Sequence, residues 1–505
     1  MRRLAPVLLL LACGPGGSST ADGSTGDAPG SSSAPSPTTT SGSPATTDAF
    51  ATADAPTTAA TSALGDDGTS ATLDPSAATS TTTGEPAVCG PVCAELRNIT
   101  GNLEIEPGTD PDTFACVRRI DGDLDIHHLA EGDILEHLGN LQEVTGSVTI
   151  RDNGFAEITG LGCLYSADIL MIQGNSFLTE LTGLAGLRRV GSLHVENSGA
   201  LTSLAGLADL RSVDGIYLEG LPLVSELPAW AFEPGHTLRG LTLLDLPALT
   251  DLDVFAGMTT ATDYIFYFAA IGCPALTSVA GVGDLLRSAS PVDVALRDLA
   301  LTDLAGLDGN AEFINLDLES LPQLTSLAAL AGTPTIHTLG ISSLPQLTDL
   351  HGLEDVVQVE VVGLHDLPLL VDLSALSDRT DLAVLDLDRL PALSDLSDLA
   401  ALRTVSDRLS LGSCDDSPDA GLDALIDLTG LDELEVVGEV VIGNNDALVD
   451  LTGAPKLATV SALHAVHNPA LAPGTLAAWA ASLDPAPLLC ESQDFDTCDC
   501  FVING

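Results

Sequence analysis

The sequence LDLESLPQLTSLAAL, residues 316–330, decides the fold of this chain. Leu316 and Leu318 alternate with acidic residues, which is the pattern of a strand that buries one face. Pro322 then lacks a backbone donor and turns the chain out of the strand. Leucines return at every third position to the end of the segment. The segment therefore predicts a short strand followed by a compact return turn.

A leucine equivalent to Leu327 of this phrase recurs every 23 residues over much of the chain. It stands at Leu181, Leu204, Leu227, Leu304, Leu327, Leu350, Leu373 and Leu396. Longer spacings, such as 29 residues from Leu396 to Leu425, predict bulged loops between regular coils. A fixed period of this size is typical of a solenoid. We therefore predict a β-rich solenoid over residues 118–471, with coils of about 23 residues made of short strands, turns and 3₁₀ segments.

The first thirteen residues predict an export signal. Arg2 and Arg3 precede an apolar run, residues 4–12, that is too short to span a bilayer as a helix. The phrase Leu-Leu-Ala-Cys ending at Cys13 resembles the lipobox of bacterial lipoproteins, in which the cysteine is lipidated. The resemblance implies a lipid anchor at Cys13 in a bacterial cell envelope, at the outer membrane or the cell surface. An ordinary secretory signal is the alternative.

Residues 14–86 predict a disordered tether. The segment is almost entirely Ser, Thr, Gly, Ala, Pro and Asp, with Phe50 as its only aromatic residue. Such a composition buries too little apolar surface to offset the entropy of ordering the chain. A flexible segment of this length spans roughly 50 Å, enough to hold a folded domain clear of a membrane.

The repeated phrase resembles the leucine-rich repeat, LxLxxNxxLxxL, from about Ile99 to Leu471. The family's asparagine is kept at Asn175, Asn445 and Asn468 and is replaced at Leu246, Leu321, Leu344, Leu367 and Leu390. In the family this inward asparagine satisfies neighbouring backbone groups. In the leucine coils we expect those groups to bond to each other or to water.

Two further family resemblances are carried by other parts of the sequence. The phrases Ile99-Thr-Gly-Asn-Leu-Glu-Ile105 and Val144-Thr-Gly-Ser-Val-Thr-Ile150 are similar to the coils of receptor L domains, a related β-solenoid. The export signal, the tether and the acidic Leu-Thr-Asp-Leu phrases resemble those of bacterial internalin-type surface proteins. The sequence does not separate these two families.

Cysteines flank the repeats and predict disulfide-bonded caps, because an exported protein enters a disulfide-permissive compartment. Residues 87–117 form the expected N-terminal cap and residues 472–505, with a helix-like stretch from Thr475 to Leu483, the C-terminal one. The candidate disulfide cysteines are Cys89, Cys93, Cys116, Cys490, Cys498 and Cys500, with no pairing specified. Cys273 occupies an inward position of the repeat, and we expect it to stay unpaired.

Charge and motifs exclude several functions. The chain carries 71 acidic residues against 17 Lys and Arg, a net charge of -54, which disfavours nucleic acid as a partner. Two Trp and four Tyr disfavour an extended stacking platform for bases or sugars. No nucleophile elbow, phosphate loop or dinucleotide fingerprint stands at a strand-to-helix junction. We therefore predict a non-enzyme that uses no cofactor.

The outward positions of the predicted strands vary from coil to coil while their inward neighbours do not. A regular scaffold with an irregular exposed stripe is how solenoids present an extended binding face. The candidate residues are His194, Glu196, Tyr217, Glu219, Asp317, Glu319, Asp386 and Asp388. The predicted function is a surface-displayed binding or adhesion module for a protein or an envelope polymer. The alternative is a structural spacer whose outward residues only solvate a sheet.

An acidic residue often precedes the recurring leucine. Asp349, Asp372 and Asp395 come from consecutive coils, so we expect their backbones about 5 Å apart. Two unit charges at that distance repel by roughly 3 kcal/mol at an effective dielectric of 20. Calcium takes six to eight oxygens, which one carboxylate per coil supplies poorly. A hydrated acidic stripe is the favoured interpretation, and a calcium ladder is the alternative.

Overall fold

A computed structural model describes residue 90 and residues 93–230, 232–233, 237–260, 264–413 and 421–492. Cys13, Cys89, Cys498, Cys500 and the predicted tether lie outside these residues. Within the described ranges, no helix has both the length and the apolar character that a membrane span requires.

The described residues form a parallel β-solenoid, as the sequence predicted, with all strands in one sheet. The strands are β1 (Arg97–Thr100), β2 (Leu103–Ile105), β3 (Val117–Asp121), β4 (Leu124–His127), β5 (Glu143–Val144), β6 (Ser147–Arg151), β7 (Ser166–Gln173), β8 (Arg189–Glu196), β9 (Ser212–Glu219), β10 (Gly240–Leu244), β11 (Phe266–Ile271), β12 (Val292–Arg297), β13 (Glu312–Glu319), β14 (Thr335–Ser342), β15 (Val361–His365), β16 (Asp381–Asp388), β17 (Thr404–Leu411), β18 (Val436–Gly443), β19 (Thr459–Val466) and β20 (Leu488–Ser492).

Helical segments are short, because a coil of 23 residues leaves little room between strands. The α-helices are α1 (Gly283–Ser288) and α2 (Thr475–Ala481). The 3₁₀ helices are Pro111–Thr113, Asp133–Leu138, Thr182–Leu184, Ala205–Leu207, Asp253–Phe255, Ala280–Val282, Ala328–Leu330, Ser374–Leu376 and Ser397–Leu399. Most of the 3₁₀ helices begin just after the recurring leucine, so they form the return side of the coil.

Each strand from β6 to β19 pairs in parallel with the next strand along the chain. The register places equivalent residues side by side, as where Leu316 pairs with Leu339 and Leu318 pairs with Ile341. These inward side chains are buried, and leucines from every coil continue the same core. The predicted alternation of buried and outward residues is confirmed.

A left-handed turn ends almost every strand. The residue after the strand has a positive φ, for example 50° at Asn197 and 53° at Asp245. In other coils the same place is taken by glycine, as at Gly220 and Gly272. A Cβ at Gly220 would lie 2.7 Å from Asn197 Oδ1, so the side chain of one coil occupies the space that the next glycine leaves. Asparagine, aspartate and glycine tolerate this conformation best.

Asparagines satisfy buried backbone groups in the terminal coils. Asn175 is fully buried, and its Nδ2 donates to the carbonyls of Ile150 and Gln173 at 2.8 and 3.1 Å. Its Oδ1 accepts from the backbone N–H of Asn153 at 3.0 Å. In the coils that have leucine at this position, backbone groups of adjacent coils bond to each other. For example, Leu367 N donates to Arg389 O at 3.2 Å. The expectation for the leucine coils is confirmed at this coil.

Cys273 is a free, buried cysteine, as predicted. Its Sγ lies 3.9 Å from Leu243 O and 3.5 Å from Ile271 O, the same kind of backbone acceptors that the asparagine amide uses. Burial raises the pKa of the Cys273 thiol to about 11. The thiol therefore stays protonated and acts as a weak donor in place of the asparagine.

One register prediction was wrong. Leu428, not Leu425, takes the place equivalent to Leu396, because Leu396 N donates to Thr429 O. Leu428 N donates in the same way to Thr452 O of the following coil. The loop in this coil is therefore longer than the leucine spacing suggested, and leucines at every third position made the two registers look alike.

The strand ladder extends beyond the predicted repeat region at both ends. β1 and β2 precede residue 118, and β20, which contains Cys490, pairs with β19 after helix α2. Cys93 and Cys116 form a disulfide. Cys163, which the sequence analysis did not select, is disulfide-bonded as well. The candidate caps therefore carry strands of the same sheet as well as cysteines.

We expect Gly206→Ala to destabilise the solenoid. Gly206 lies in a 3₁₀ helix, and an added Cβ would sit 1.9 Å from the backbone oxygen of Leu181 in the preceding coil. Backbone cannot move aside as a side chain can, so the free energy of unfolding should fall by about 1–3 kcal/mol in chemical denaturation. Gly199→Ala is the matched control, because its Cβ meets nothing within 4 Å. Equal effects of the two substitutions would contradict close contact between coils.

Candidate binding face on the parallel sheet

The outward residues of β9–β13 form a regular grid, which we call the central face. Parallel pairing aligns three rows across these five strands. The first row is Gly215, Gly240, Tyr267, Asp293 and Asn315; the second is Tyr217, Thr242, Ala269, Ala295 and Asp317; the third is Glu219, Leu244, Ile271, Arg297 and Glu319. Neighbouring strands lie about 4.8 Å apart. The face therefore presents small residues, Thr242, Ala269 and Ala295, in the middle of its second row, with the apolar Leu244 and Ile271 beside them in the third row.

His194 and Tyr217 come together as a stacked pair at one edge of the central face. Their ring centroids are 5.4 Å apart with an interplanar angle of 27°. Ser192 Oγ lies 2.8 Å from His194 Nε2. The Tyr217 hydroxyl donates to Glu219, and this hydrogen bond raises the pKa of Tyr217 to about 12. Sequence analysis selected three of these four residues and missed Ser192.

Glu196 joins the same group from the end of β8. Gln173 Nε2 donates to Glu196 Oε2 at 2.9 Å, and His194 Nδ1 lies 3.5 Å from Glu196 Oε1. Glu196 and Glu219 are direct neighbours in the register of β8 and β9. Contacts with Gln173, His194 and Tyr217 thus hold two adjacent carboxylates in place.

Tyr267 and Asp293 are neighbours in the first row of the central face. Tyr267 is 41% exposed. Asp293 is half-buried, and its carboxylate accepts a hydrogen bond from Asn315 Nδ2 at 2.9 Å. Burial raises the pKa of Asp293, because a carboxylate loses hydration there. In the part of the chain that the structure describes, no Lys, Arg or His forms an ion pair with Asp293.

Asp317 and Glu319 both form ion pairs with Arg297. Arg297 Nε donates to Asp317 Oδ2 at 2.8 Å and lies 3.2 Å from Glu319 Oε2. The arginine and the two carboxylates come from adjacent strands, β12 and β13. These two predicted residues therefore carry less uncompensated negative charge than the sequence suggested.

Asp386 and Asp388 form a separate group farther along the sheet. Arg408 Nε donates to Asp386 Oδ1 at 2.9 Å, and His365 Nδ1 lies 2.9 Å from Asp388 Oδ2. Strands β14 and β15 separate this group from Asp317. The structure thus divides the predicted stripe into three groups, on β8 and β9, on β13 and on β16, rather than one continuous site.

Three of the four tyrosines of the chain lie on or next to strands of the central face. Tyr217 lies on β9 and Tyr267 on β11, with β10 between them, and Tyr264 lies two residues before β11. Tyr264 is 61% exposed, and the Arg239 guanidinium carbon lies 4.7 Å from its ring centroid. Tyr264, Tyr267 and Asp293 were not among the residues predicted from the sequence, because that prediction used only two outward positions of each strand. One further step of the same alternation would have reached Tyr267 and Asp293.

The aspartates of the acidic row, Asp349, Asp372 and Asp395, cap the turn or 3₁₀ helix that follows each of them. Asp349 Oδ1 accepts from the backbone N–H of His351 at 3.0 Å, and Asp372 Oδ1 accepts from that of Ser374 at 2.7 Å. Asp395 Oδ1 accepts from the N–H and the hydroxyl of Ser397. In other coils Ser203, Ser278 and Ser326 accept from the N–H two residues ahead in the same way. Local capping by a short polar side chain explains why the row recurs.

The capping bonds also influence protonation. Hydrogen bonds from Ser374 and Ser397 lower the pKa values of Asp372 and Asp395.

A different group of residues brings possible metal ligands together. Among the described residues, Glu104, Asp125 and His127 are the ones whose ligand atoms lie within 4.8 Å of one another. Arg151 already donates to both oxygens of Asp125, at 3.2 and 2.8 Å, so the charge of Asp125 is compensated within the chain.

Comparisons with known proteins find similarity to solved structures. No protein-family model matches the sequence, and no curated protein matches it. The fold is similar to the crystal structure of an internalin (inlF) from Listeria monocytogenes, at 15% sequence identity and a TM-score of 0.30. The match covers 66% of this chain and 86% of the internalin chain. At this TM-score the comparison carries no inference about partners or localisation.

We expect Asp372→Ala to lower the free energy of unfolding by about 1 kcal/mol, because it removes the cap on the Ser374 N–H. Asp372→Asn and Asp372→Ser should be close to the wild type, since both keep a capping oxygen. Chemical denaturation of the three variants measures the difference.

The same variants test the calcium ladder. Capping predicts that calcium and sodium chloride of equal ionic strength change the melting temperature alike, by screening. A rise with low-millimolar calcium alone, abolished in Asp372→Asn, would instead establish a cation site.

Proposed function

We propose that this chain is an exported, membrane-anchored module that binds a protein through the central face of its sheet. The observation that carries the proposal is that three of the four tyrosines of the chain, Tyr217, Tyr264 and Tyr267, belong to two coils that are separated by one coil, that of β10. Tyrosine and arginine are enriched where proteins bind one another, since they combine apolar area with a polar tip. The remaining described surface shows no comparable group of tyrosines.

The distribution of aromatic residues supports this assignment. The largest fully buried rings are phenylalanines, at Phe114, Phe255, Phe266, Phe268 and Phe313. The core therefore uses leucine and phenylalanine, and packing does not require the tyrosines on the sheet. Tyr264, Ile265 and Tyr267 are exposed side by side, at 61%, 49% and 41%. Exposed apolar surface of this kind marks an interaction site in a soluble domain.

Anchoring and display form the second part of the proposal. The Leu-Leu-Ala-Cys phrase at Cys13 supports a lipid anchor, and the composition of residues 14–86 supports a flexible tether. Together they would hold the solenoid away from the membrane of a bacterial cell envelope. A partner in that setting is a protein or another envelope polymer, and the tyrosine cluster favours a protein.

A structural spacer with no ligand is the second candidate. The observation that favours it is the internal compensation of charge, since Arg297 pairs with Asp317 and Arg408 pairs with Asp386. A face whose charges are already paired solvates a sheet without a partner. This alternative leaves the exposed tyrosines unexplained.

We assign no enzymatic role, although Ser192, His194 and Glu196 have the order of a hydrolase triad on one strand. Ser192 Oγ lies 2.8 Å from His194 Nε2, and His194 Nδ1 lies 3.5 Å from Glu196. Acyl transfer also needs two free donors for the oxyanion. Strand β8 is paired with β7 and with β9, so its backbone N–H groups are engaged in the sheet.

We expect the full-length protein to retain a partner from an envelope extract, and Tyr217→Ala combined with Tyr267→Ala to abolish that retention. Tyr165→Ala is the matched control, because Tyr165 is 43% exposed and lies outside the central face. Circular dichroism should be unchanged in all variants. Equal retention by wild type and double variant, or no retained partner at all, would favour the spacer.

We expect Cys13→Ala to move the protein from the membrane pellet to the soluble or secreted fraction, because the lipidation site is lost. Fractionation of cells after a salt wash measures the change. A variant that stays in the washed pellet would contradict a lipid anchor at Cys13.

A further inference from the structure

A histidine and two carboxylates meet near the N-terminal end of the sheet. Glu104 on β2 and Asp125 on β4 are direct neighbours in the parallel register, and His127 is the next outward residue of β4. One ligand atom from each of these three residues lies within 4.8 Å of the other two. Strands β6, β7 and β8 lie between β4 and the central face. The group is therefore separate from the surface assigned to partner binding.

This convergence distinguishes the group from the other histidine–carboxylate contacts of the chain. His337 meets Glu312 at Nε2 and Glu360 at Nδ1, so its two carboxylates lie on opposite nitrogens and cannot share one ion. His365 Nδ1 pairs with the single carboxylate of Asp388. Within the described ranges, the group on β2 and β4 is the one in which three ligand atoms converge. Its selection therefore rests on geometry and not on the abundance of acidic residues.

His127 is the buried member of the group. It is 6% exposed, and its Nε2 lies 2.8 Å from Glu104 Oε1. Its other ring nitrogen, Nδ1, lies 2.7 Å from Nδ1 of His128. With the shared proton on His128, His127 accepts at Nδ1 and donates from Nε2 to Glu104. With that proton on His127, Nε2 of the neutral ring has a free lone pair, and the bond between the two rings is kept.

The second arrangement is the one that a metal ion requires. A histidine that binds a metal ion usually donates its other ring N–H to a neighbouring acceptor, which fixes the tautomer and the orientation of the ring. His128 provides that acceptor. Both rings stay neutral in either arrangement, so His127 can change from a donor to a ligand without a change in charge.

Arg151 orients the carboxylate of Asp125. Its guanidinium donates to the two carboxylate oxygens at 3.2 and 2.8 Å. A carboxylate has about four lone-pair sites, so each oxygen keeps one for an ion. The Glu104 side chain is 64% exposed and can move onto an ion, with water completing the coordination. The two carboxylates and the guanidinium together carry one negative charge, which a divalent cation would compensate.

We propose that Glu104, Asp125 and His127 bind one divalent transition-metal ion, with zinc as the best match to these ligands. One imidazole nitrogen and two carboxylate oxygens suit zinc, whereas calcium and magnesium take oxygen ligands. Tetrahedral zinc with bonds of about 2.1 Å places its ligand atoms about 3.4 Å apart, so the group closes on the ion by small side-chain movements. The ion would tie β2 to β4, as the Cys93–Cys116 disulfide ties the residues before β1 to those before β3.

The test is isothermal titration calorimetry of the full-length, untagged protein with zinc chloride, after a chelator has removed metal from the sample. We expect one equivalent of zinc to bind per chain. His127→Gln should weaken zinc binding by more than the roughly 10–100-fold that loss of a supporting residue costs. Glu104→Gln, at an exposed side chain, should weaken it by about tenfold or more. His365→Gln is the matched control, a histidine with one carboxylate partner, and should bind zinc as the wild type does.

His128→Asn tests the role of the second ring. His128 has a φ of 58°, which asparagine tolerates, so the variant removes the imidazole and keeps the turn. Zinc binding should weaken by roughly 10–100-fold, less than in His127→Gln. Unchanged binding in His128→Asn would contradict the support that its ring gives to His127.

The melting temperature gives a second measurement. An ion that binds the folded chain raises it, so zinc should raise the melting temperature of the wild type and of His365→Gln, but not that of His127→Gln. Calcium at the same concentration should produce no such rise. Absence of zinc binding by the wild type, or equal binding by the wild type and Glu104→Gln, would overturn the site. Glu104→Gln decides the outcome if His127→Gln does not fold.

Discussion

Hydrogen-bonded stacking of one coil on the next is the constraint on which the rest of this structure depends. Because the parallel ladder aligns equivalent residues at about 4.8 Å, whatever occupies a position in one coil must fit its counterpart in the next. Asn197 lies where a Cβ of Gly220 would be, and a Cβ at Gly206 would meet the carbonyl of Leu181. From Asp152 to Asp298, glycine thus alternates with aspartate or asparagine at the turns, because these residues tolerate a positive φ and the side chain of one coil fills the space that the next glycine leaves.

The same stacking explains how so acidic a chain forms a regular rod of coils. Carboxylates in register would repel at short range, and the structure gives several of them a local partner. Asp372 and Asp395 cap the backbone of their own coils, and Asp317 and Asp386 accept from arginines of adjacent strands. In the interior, buried backbone carbonyls also find local donors. Asn175 Nδ2 donates to the carbonyls of one coil pair, and the Cys273 thiol lies near the same kind of carbonyls in another.

Against this regular background, the central face is distinguished by its tyrosines. Small outward residues also occur in other coils, as at Gly340 and Gly363, whereas Tyr217 and Tyr267 are the tyrosines that lie on strands of the sheet in the described residues. A solenoid can vary its outward positions without cost to the core, because those side chains make no contribution to coil closure. The tyrosines of the central face are therefore available for binding, and they are the basis of the proposed function.

The sequence by itself determined the period, the strand alternation, the inward leucines and the unpaired state of Cys273, because each of these follows from local pattern repeated at a fixed spacing. Tertiary structure decided which outward residues meet. Arg297 reaches Asp317, and Tyr267 stands beside Asp293, only through the lateral register of strands. The choice of Leu425 instead of Leu428 has the same cause. Leucines at every third position fit two registers equally well in the sequence. The hydrogen bond from Leu396 N to Thr429 O shows which register the structure adopts.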